Sequence, residues 1–218
     1  MASPQLIVTP EAAELGLVAT YHTTLELSNK SSCEAFDELK RAAWPTLIEY
    51  CAGNPIETDS IVQGFRELRI AVGHSPRKYP CSIEGLVGCL QRRSEIPTIN
   101  LAVDIYNLIS LETRLTLGAH DLDRVAGNIT LRLARGDEHF VPLGSTDPAS
   151  VHAGEYCYVD DQDEVLCRLD YKQCDATKLS ESTSRCLFIV QGNANTSQEY
   201  LKQAKDRLVE LLERFCGG

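Results

Sequence analysis

The chain has 218 residues, with 21 Lys and Arg against 31 Asp and Glu, a formal net charge of −10. Hydrophobic residues make up 43% and charged residues 24%. That balance excludes wholesale disorder, and a chain of this length buries a core without disulfide or metal staples. A field of this sign repels phosphate and argues against a non-specific DNA or RNA binder, while leaving room for a local basic patch. Apolar runs such as Cys186-Leu187-Phe188-Ile189-Val190 fall well short of the roughly 18 residues a membrane span needs. The amino-terminal segment has neither the basic nor the apolar region of a signal peptide, so a cytosolic location is expected, with no membrane and no DNA as partner. Nine cysteines occur with no C-x-x-C spacing, which predicts reduced, mostly buried thiols and no metal site.

Leu17 to Leu25 is β-branched and roughly alternating, and reads as a strand. Ser31 and Glu34 have capping-box spacing ahead of Phe36, Leu39, Ala43, Leu47 and Ile48, a helix that Pro45 should kink or restart. Asp59 or Ser60 caps a second helix with Ile61, Phe65, Leu68 and Ile70 on or near one face. Residues 73–80 form a loop, and Ser82 opens a third helix. A fourth spans Ile99 to Leu111, and a turn holding Gly118, His120 and Asp121 follows. Strand period returns at Ile129, Leu131 and Leu133, then at 155–159, 165–171 and 185–191. A final amphipathic helix from about Thr196 carries Leu201, Ala204, Leu208, Leu211, Leu212 and Phe215, and ends at Gly217. Helices crowd the first half and strands the second. The pattern is α+β and is expected to form one domain over residues 1–218.

Generic catalytic motifs are absent: there is no Walker A loop, G-x-G-x-x-G, G-x-S-x-G or H-E-x-x-H. The stretch from Ile96 to Val125 stands out. It sets Asp104 and Asn107 three residues apart on one helical face, with Glu112 a turn later. These polar residues either tie down a loop or face a ligand, and the spacing alone leaves both open.

The same stretch resembles the signature of the B3/B4 domain of the bacterial phenylalanyl-tRNA synthetase beta subunit. The resemblance rests on Asn100-Leu101-Ala102-Val103-Asp104-Ile105-Tyr106-Asn107, on Leu111-Glu112, Ala119, Asp121 and Asp123-Arg124-Val125, and on Ile129 through Glu138. It is specific over residues 96–138 and looser over most of the chain. It implies a β-sandwich of unusual topology flanked by helices, and a stand-alone domain without the synthetase's catalytic parts. It further implies an editing site that hydrolyses the ester of mischarged tRNA with a bound water and no metal or other cofactor. Such a site needs a side-chain pocket, a positioned water, donors for the developing oxyanion and a place for the terminal adenosine.

Carried onto this chain, the resemblance makes Asn107 and His120 the catalytic candidates, with Tyr106, Gly118, Ala119, Asp121 and Gln191 against the substrate. Several positions depart from the family. Its threonine is Tyr106 here, its pocket histidine falls on Gly118, and its phenylalanine is His120. Its late-strand glutamate falls near Ile189 to Gln191, where no acid stands. Tyr106 would fill space and favour a smaller substrate side chain. Asn107 either orients water or caps backbone, and His120 either carries a proton or is structural. Gly118 either makes a turn or donates its amide to the substrate carbonyl. Arg77, Lys78, Arg92, Arg93 and Arg114 are the candidate RNA contacts, the ordinary alternative being a solvated face. The expected partner is a tRNA acceptor end, held weakly, with a synthetase as a second partner. The competing expectations are a non-catalytic module holding a tRNA end, an amino acid or a nucleotide, and an interaction protein using the sandwich as scaffold.

Overall fold

Elements named here come from a computed structural model that describes residues 4–217; Met1, Ala2 and Ser3 of the amino-terminal segment weighed as a leader, and Gly218, lie outside the described residues. The short strand β1 (Leu6–Val8) and helix α1 (Pro10–Glu14) precede β2 (Val18–Thr24), the strand read from alternation. Helix α2 (Glu34–Gly53) runs unbroken through Pro45 and starts at Cys33 rather than with the Ser31 capping box. Helix α3 (Ser60–Ala71) is capped by the Asp59 carboxylate, which accepts from the Ile61 and Val62 amides. Its buried face is Val62, Phe65, Leu68 and Arg69; Phe65 and Leu68 are as expected from the sequence, while Ile70 is exposed and Arg69 takes the core side.

Helix α4 (Ser82–Arg93) begins where the Glu84 carboxylate accepts from the Cys81 amide. Helix α5 (Leu101–Thr113) lies against α4, α2 and the last helix, α6 (Gln198–Cys216). The remaining strands are β3 (Thr116–Asp121), β4 (Ile129–Leu133), β5 (Tyr156–Val159), β6 (Val165–Arg168), β7 (Lys172–Gln173) and β8 (Cys186–Gly192). One sheet has the order β1-β4-β5-β6-β7, with β1 parallel to β4 and the rest antiparallel; the other has the order β2-β8-β3, antiparallel throughout. The architecture is α+β with two sheets, and one apolar core runs through it. Strand β8 is central in its sheet and buried along its whole length, which explains its near-continuous apolar run.

Helix α6 buries Leu201, Leu208, Leu211, Leu212 and Phe215 against α5, β2 and β8, each worth about 1.5–3 kcal/mol of transfer free energy. No helix among the described residues is long and apolar enough to cross a membrane. All nine cysteines are free thiols, six of them buried.

The start of α5 is fixed by two asparagines. Asn100 caps the helix by accepting from the Val103 amide at 3.1 Å and donates to the Leu179 carbonyl at 3.2 Å. Asn29 accepts from the Ala102 amide at 3.0 Å and donates to the Ser180 carbonyl at 2.8 Å, and the two side chains bond each other at 3.1 Å. Removing either strands buried polar partners. Asn100→Ala and Asn29→Ala are each expected to cost about 1–3 kcal/mol in urea unfolding at unchanged m-value. The double variant should cost less than the sum, since the two share bonds.

Candidate functional site

Between α5, β3 and the edge of the five-stranded sheet lies a cavity of about 460 Å3. Period two along β3 puts Thr116, Gly118 and His120 on one face, and all three line it. On β8 the residues opposite the first two, Gln191 and Ile189, line it as well. Helix α5 contributes Val103, Tyr106 and Asn107, a helical i, i+3, i+4 set. Cys81, Ser82, Gly85 and Leu86 close one side from the start of α4. Tyr158, Cys167 and the 170–173 turn close the other.

The turn expected at Gly118 is instead a strand. Its sequence hides this, because the face towards the cavity is polar or bare and the other face is also buried. Gly118 sits within β3 without a positive φ, and a Cβ added there meets nothing within 4 Å, so the position opens onto the cavity. Its amide is not a free donor. The Ala119 carbonyl accepts from Gln173 at 3.0 Å and the Asp121 amide donates to the Thr177 carbonyl, so these odd positions face the open edge. By alternation Gly118 directs its backbone groups at Ile189 in the β8 ladder. That removes the amide role considered for it.

The floor is a buried polar network that the sequence reading missed. Arg69 has no solvent exposure, and its guanidinium grips Asp170 through two bonds of 2.7 and 2.9 Å. It also donates to the Tyr156 hydroxyl and to the Tyr79 and Leu169 carbonyls. Tyr156 donates to Asp170 at 2.6 Å, Gln191 donates to the same oxygen at 3.1 Å, and the Tyr158 hydroxyl donates to the Gln191 carbonyl oxygen. Burial works against the Arg69 charge, but the facing Asp170 carboxylate outweighs it and holds the guanidinium charged. Burial pushes the Tyr158 hydroxyl and the Cys167 thiol up, so both line the cavity in neutral form. Gln191 therefore occupies the cavity wall as a relay between a tyrosine and a carboxylate.

His120 is buried, and its Nδ1 shares a 2.8 Å hydrogen bond with the Thr177 hydroxyl. Burial pulls its pKa down to about 4, so the imidazole is neutral at physiological pH. Asn107 lines the cavity from α5, half-buried. The Thr116 hydroxyl, 96% buried by its 4% residual exposure, has no hydrogen-bond partner among the described residues. It offers a donor and an acceptor to whatever fills the space, and no pattern in the sequence marks it.

Other candidates are not brought to the cavity. Asp104 is tied to the buried Lys40 at 2.6 Å and to the Ile99 amide at 2.9 Å, so it anchors the entry to α5. Glu112 sits at the other end of α5, facing Arg207 at 3.9 Å. Asp121 accepts from the Asp123 amide and the Thr183 hydroxyl, and Ala119 is engaged through its carbonyl, so neither lines the cavity. Arg114 is buried, lies over the Tyr50 ring at 4.9 Å and donates to Cys51, which takes it out of any RNA-facing surface. Arg77 and Lys78 are exposed just ahead of α4, and Arg92 and Arg93 are exposed at its far end.

Fold and cavity together define an α+β domain built around one chamber. It has a concave, mostly apolar chamber with a few fixed polar groups at the meeting of two sheets. The B3/4 domain model matches residues 65–217, and the chain belongs to that family. It is 42% identical over 55 residues to the phenylalanine–tRNA ligase beta subunit of Cutibacterium acnes, covering 25% of this chain and 7% of that one. It is 26% identical over 130 residues to the same subunit of Mycoplasma genitalium, covering 60% of this chain and 15% of that one. A crystal structure of an N-terminal fragment of the phenylalanyl-tRNA synthetase beta subunit from Pyrococcus horikoshii aligns with a TM-score of 0.52 at 13% identity. That alignment covers 98% of this chain and 49% of the fragment, and it shows the shared fold. The chain thus spans only a small part of the ligase subunits it matches.

Two measurements check this site. Arg69→Met leaves Asp170 buried and unpaired, and should cost about 3–5 kcal/mol in denaturant unfolding; Arg69→Met combined with Asp170→Leu should recover part of that loss. For His120, a pKa near 4 when folded against 6.5 when unfolded means the unfolded state binds the proton first. Stability linked to this group is complete above pH 6.5, falls as pH drops, and is lost by about pH 4, by about 3 kcal/mol in all. The difference in unfolding free energy between wild type and His120→Gln should shrink over that window and stay level above it.

Proposed function

We propose that this protein edits aminoacyl-tRNA in trans, hydrolysing the 3′ ester of a mischarged tRNA by attack of a bound water without metal. The single observation that carries the reading is the cavity beside α5, lined by Asn107, Gly118 and His120, all three inside the stretch the B3/4 domain model matches. An aminoacyl ester is already activated, so positioned neutral donors suffice for its hydrolysis. In this reading Asn107 orients the water or the substrate's amino group. Neutral His120 accepts or donates a hydrogen bond through the ring nitrogen that Thr177 leaves free. The unpartnered Thr116 hydroxyl contacts the aminoacyl side chain, and Tyr106 narrows the chamber in favour of a smaller one. Arg77, Lys78, Arg92 and Arg93 contact acceptor-end phosphates, weakly for a chain of net charge −10. Capture of substrate near a synthetase, in the cytosol, fits that weak affinity, and the described chain acts as one unit.

One observation favours a second reading. With the His120 pKa pulled down to about 4, the imidazole is a poor base near neutrality, as suits a module that holds a tRNA end or an amino acid without turning it over.

A panel of tRNAs mischarged one amino acid at a time separates the two. Release of at least one ester well above buffer is expected, with Asn107→Ala and His120→Ala each slowing it about 10- to 100-fold. No release from any substrate, alongside a thermal shift with amino acids or adenosine analogues, would establish the binding module instead.

A further inference from the structure

The turn after β6 ends on an aromatic ring at the cavity mouth. We infer that Tyr171 is a stacking platform for a purine base, the terminal nucleobase of the tRNA whose ester the cavity receives; this rests on the reading above. Tyr171 lines the cavity yet keeps 43% of its surface exposed, and Ile99 and Leu143, at 63% and 43%, share the same rim. Three of the chain's few exposed large hydrophobics thus surround one opening, where scattered single residues would be ordinary.

The ring is held in place. It meets Tyr79 edge to face, with centroids 6.1 Å apart at 87°, and Tyr79 is in turn backed by the Arg168 guanidinium at 5.4 Å and by His74 at 4.7 Å. Its backbone is fixed too. Leu169 and Asp170 are successive non-glycine residues in the left-handed region, with φ of 54° and 45°, and Arg69 bonds both. A turn so constrained aims the residue that follows it. Cations stand beside the ring. Lys172 is next in the chain, exposed and on the cavity wall, and the Lys78 ammonium lies 5.4 Å from the Tyr79 centroid. An exposed ring packed on a second ring that carries a lysine, with another lysine next in the chain, at the door of a chamber for an aminoacyl group, matches a nucleotide: base on the ring, phosphate by the lysines, ester inside. An apolar peptide would gain nothing from the lysines.

The full chain is titrated with adenosine 5′-monophosphate and, separately, cytidine 5′-monophosphate by saturation-transfer NMR and equilibrium dialysis. The wild type should bind the purine more tightly. Tyr171→Phe should stay within about threefold. Tyr171→Leu, which keeps apolar bulk without a π face, and Tyr171→Ala should bind roughly 5- to 150-fold more weakly. Their melting temperatures should fall by no more than a few degrees, since Tyr171 lies on the rim with 43% of its surface exposed and packs on one ring. Failure of the wild type to bind adenosine 5′-monophosphate at millimolar concentration overturns the proposal, as does equal binding by the leucine variant. The two readings fail separately. If mischarged tRNA is hydrolysed and Tyr171→Leu leaves KM unchanged, stacking falls and the reaction stands. If the nucleotide binds through Tyr171 and no ester is released, the reaction falls and stacking stands.

Discussion

Arg69 carries a full charge with no part of its side chain in water, and the geometry of the cavity depends on how that charge is answered. Taking a guanidinium and a carboxylate out of water costs several kcal/mol for each ion even after relaxation. Here the cost is offset by near-complete hydrogen bonding. The guanidinium donates to both Asp170 oxygens, to the Tyr156 hydroxyl and to carbonyls of three separate segments. The planar fork of arginine makes this possible, and a lysine at the same place could reach only some of these acceptors. The pair ties α3 to the turn after β6, and through Tyr156 and Gln191 it ties both to the two sheets.

That tie explains why strained backbone persists. Two successive left-handed residues, Leu169 and Asp170, each cost on the order of 1–3 kcal/mol, and they survive because Arg69 fixes the carbonyl of one and the carboxylate of the other. The strain places Asp170, Tyr171, Lys172 and Gln173 along one wall of the cavity. The other wall needs no strain. Helix α5 presents Val103, Tyr106 and Asn107 by helical spacing alone, and its start is pinned by Asn100 and Asn29. One side of the chamber is thus set by local periodicity and the other by a long-range ion pair.

The sequence shows the first kind of order and hides the second. Helices α3 to α5, the strands at 129–133 and 186–192 and the closing helix follow from local pattern, while α2 starts without its expected capping box and the short α1 carries no apolar period. Strand β3 looks like a turn in the sequence, because Gly118 and His120 break its alternation while lining the cavity. Ile70 was placed near the core face of α3 in Arg69's stead, because a helical window ranks isoleucine above arginine and cannot see a carboxylate a hundred residues away. Asp104 drew attention as a polar residue on a helix and is an anchor for Lys40. Thr116 drew none and lines the cavity with a free hydroxyl. Asn107 and His120, both placed on the cavity, were reached through resemblance to a family and not through spacing.

The cavity's electrostatics bear on how such a chamber discriminates. Its charged floor is cancelled internally by the Arg69–Asp170 pair, its tyrosine and thiol are kept protonated by burial, and its imidazole is kept neutral. Past the Lys172 cation at its mouth, the chamber wall therefore presents hydrogen-bonding groups of fixed direction. A site of that kind rejects a guest that leaves its buried polar atoms unpaired far more strongly than one differing by a methylene. The net charge of −10 lies elsewhere on the molecule, where salt screens it. Surface charge and chamber chemistry are thus separated in this fold: the acidic excess lies outside the chamber, and the chamber wall presents fixed hydrogen-bonding groups.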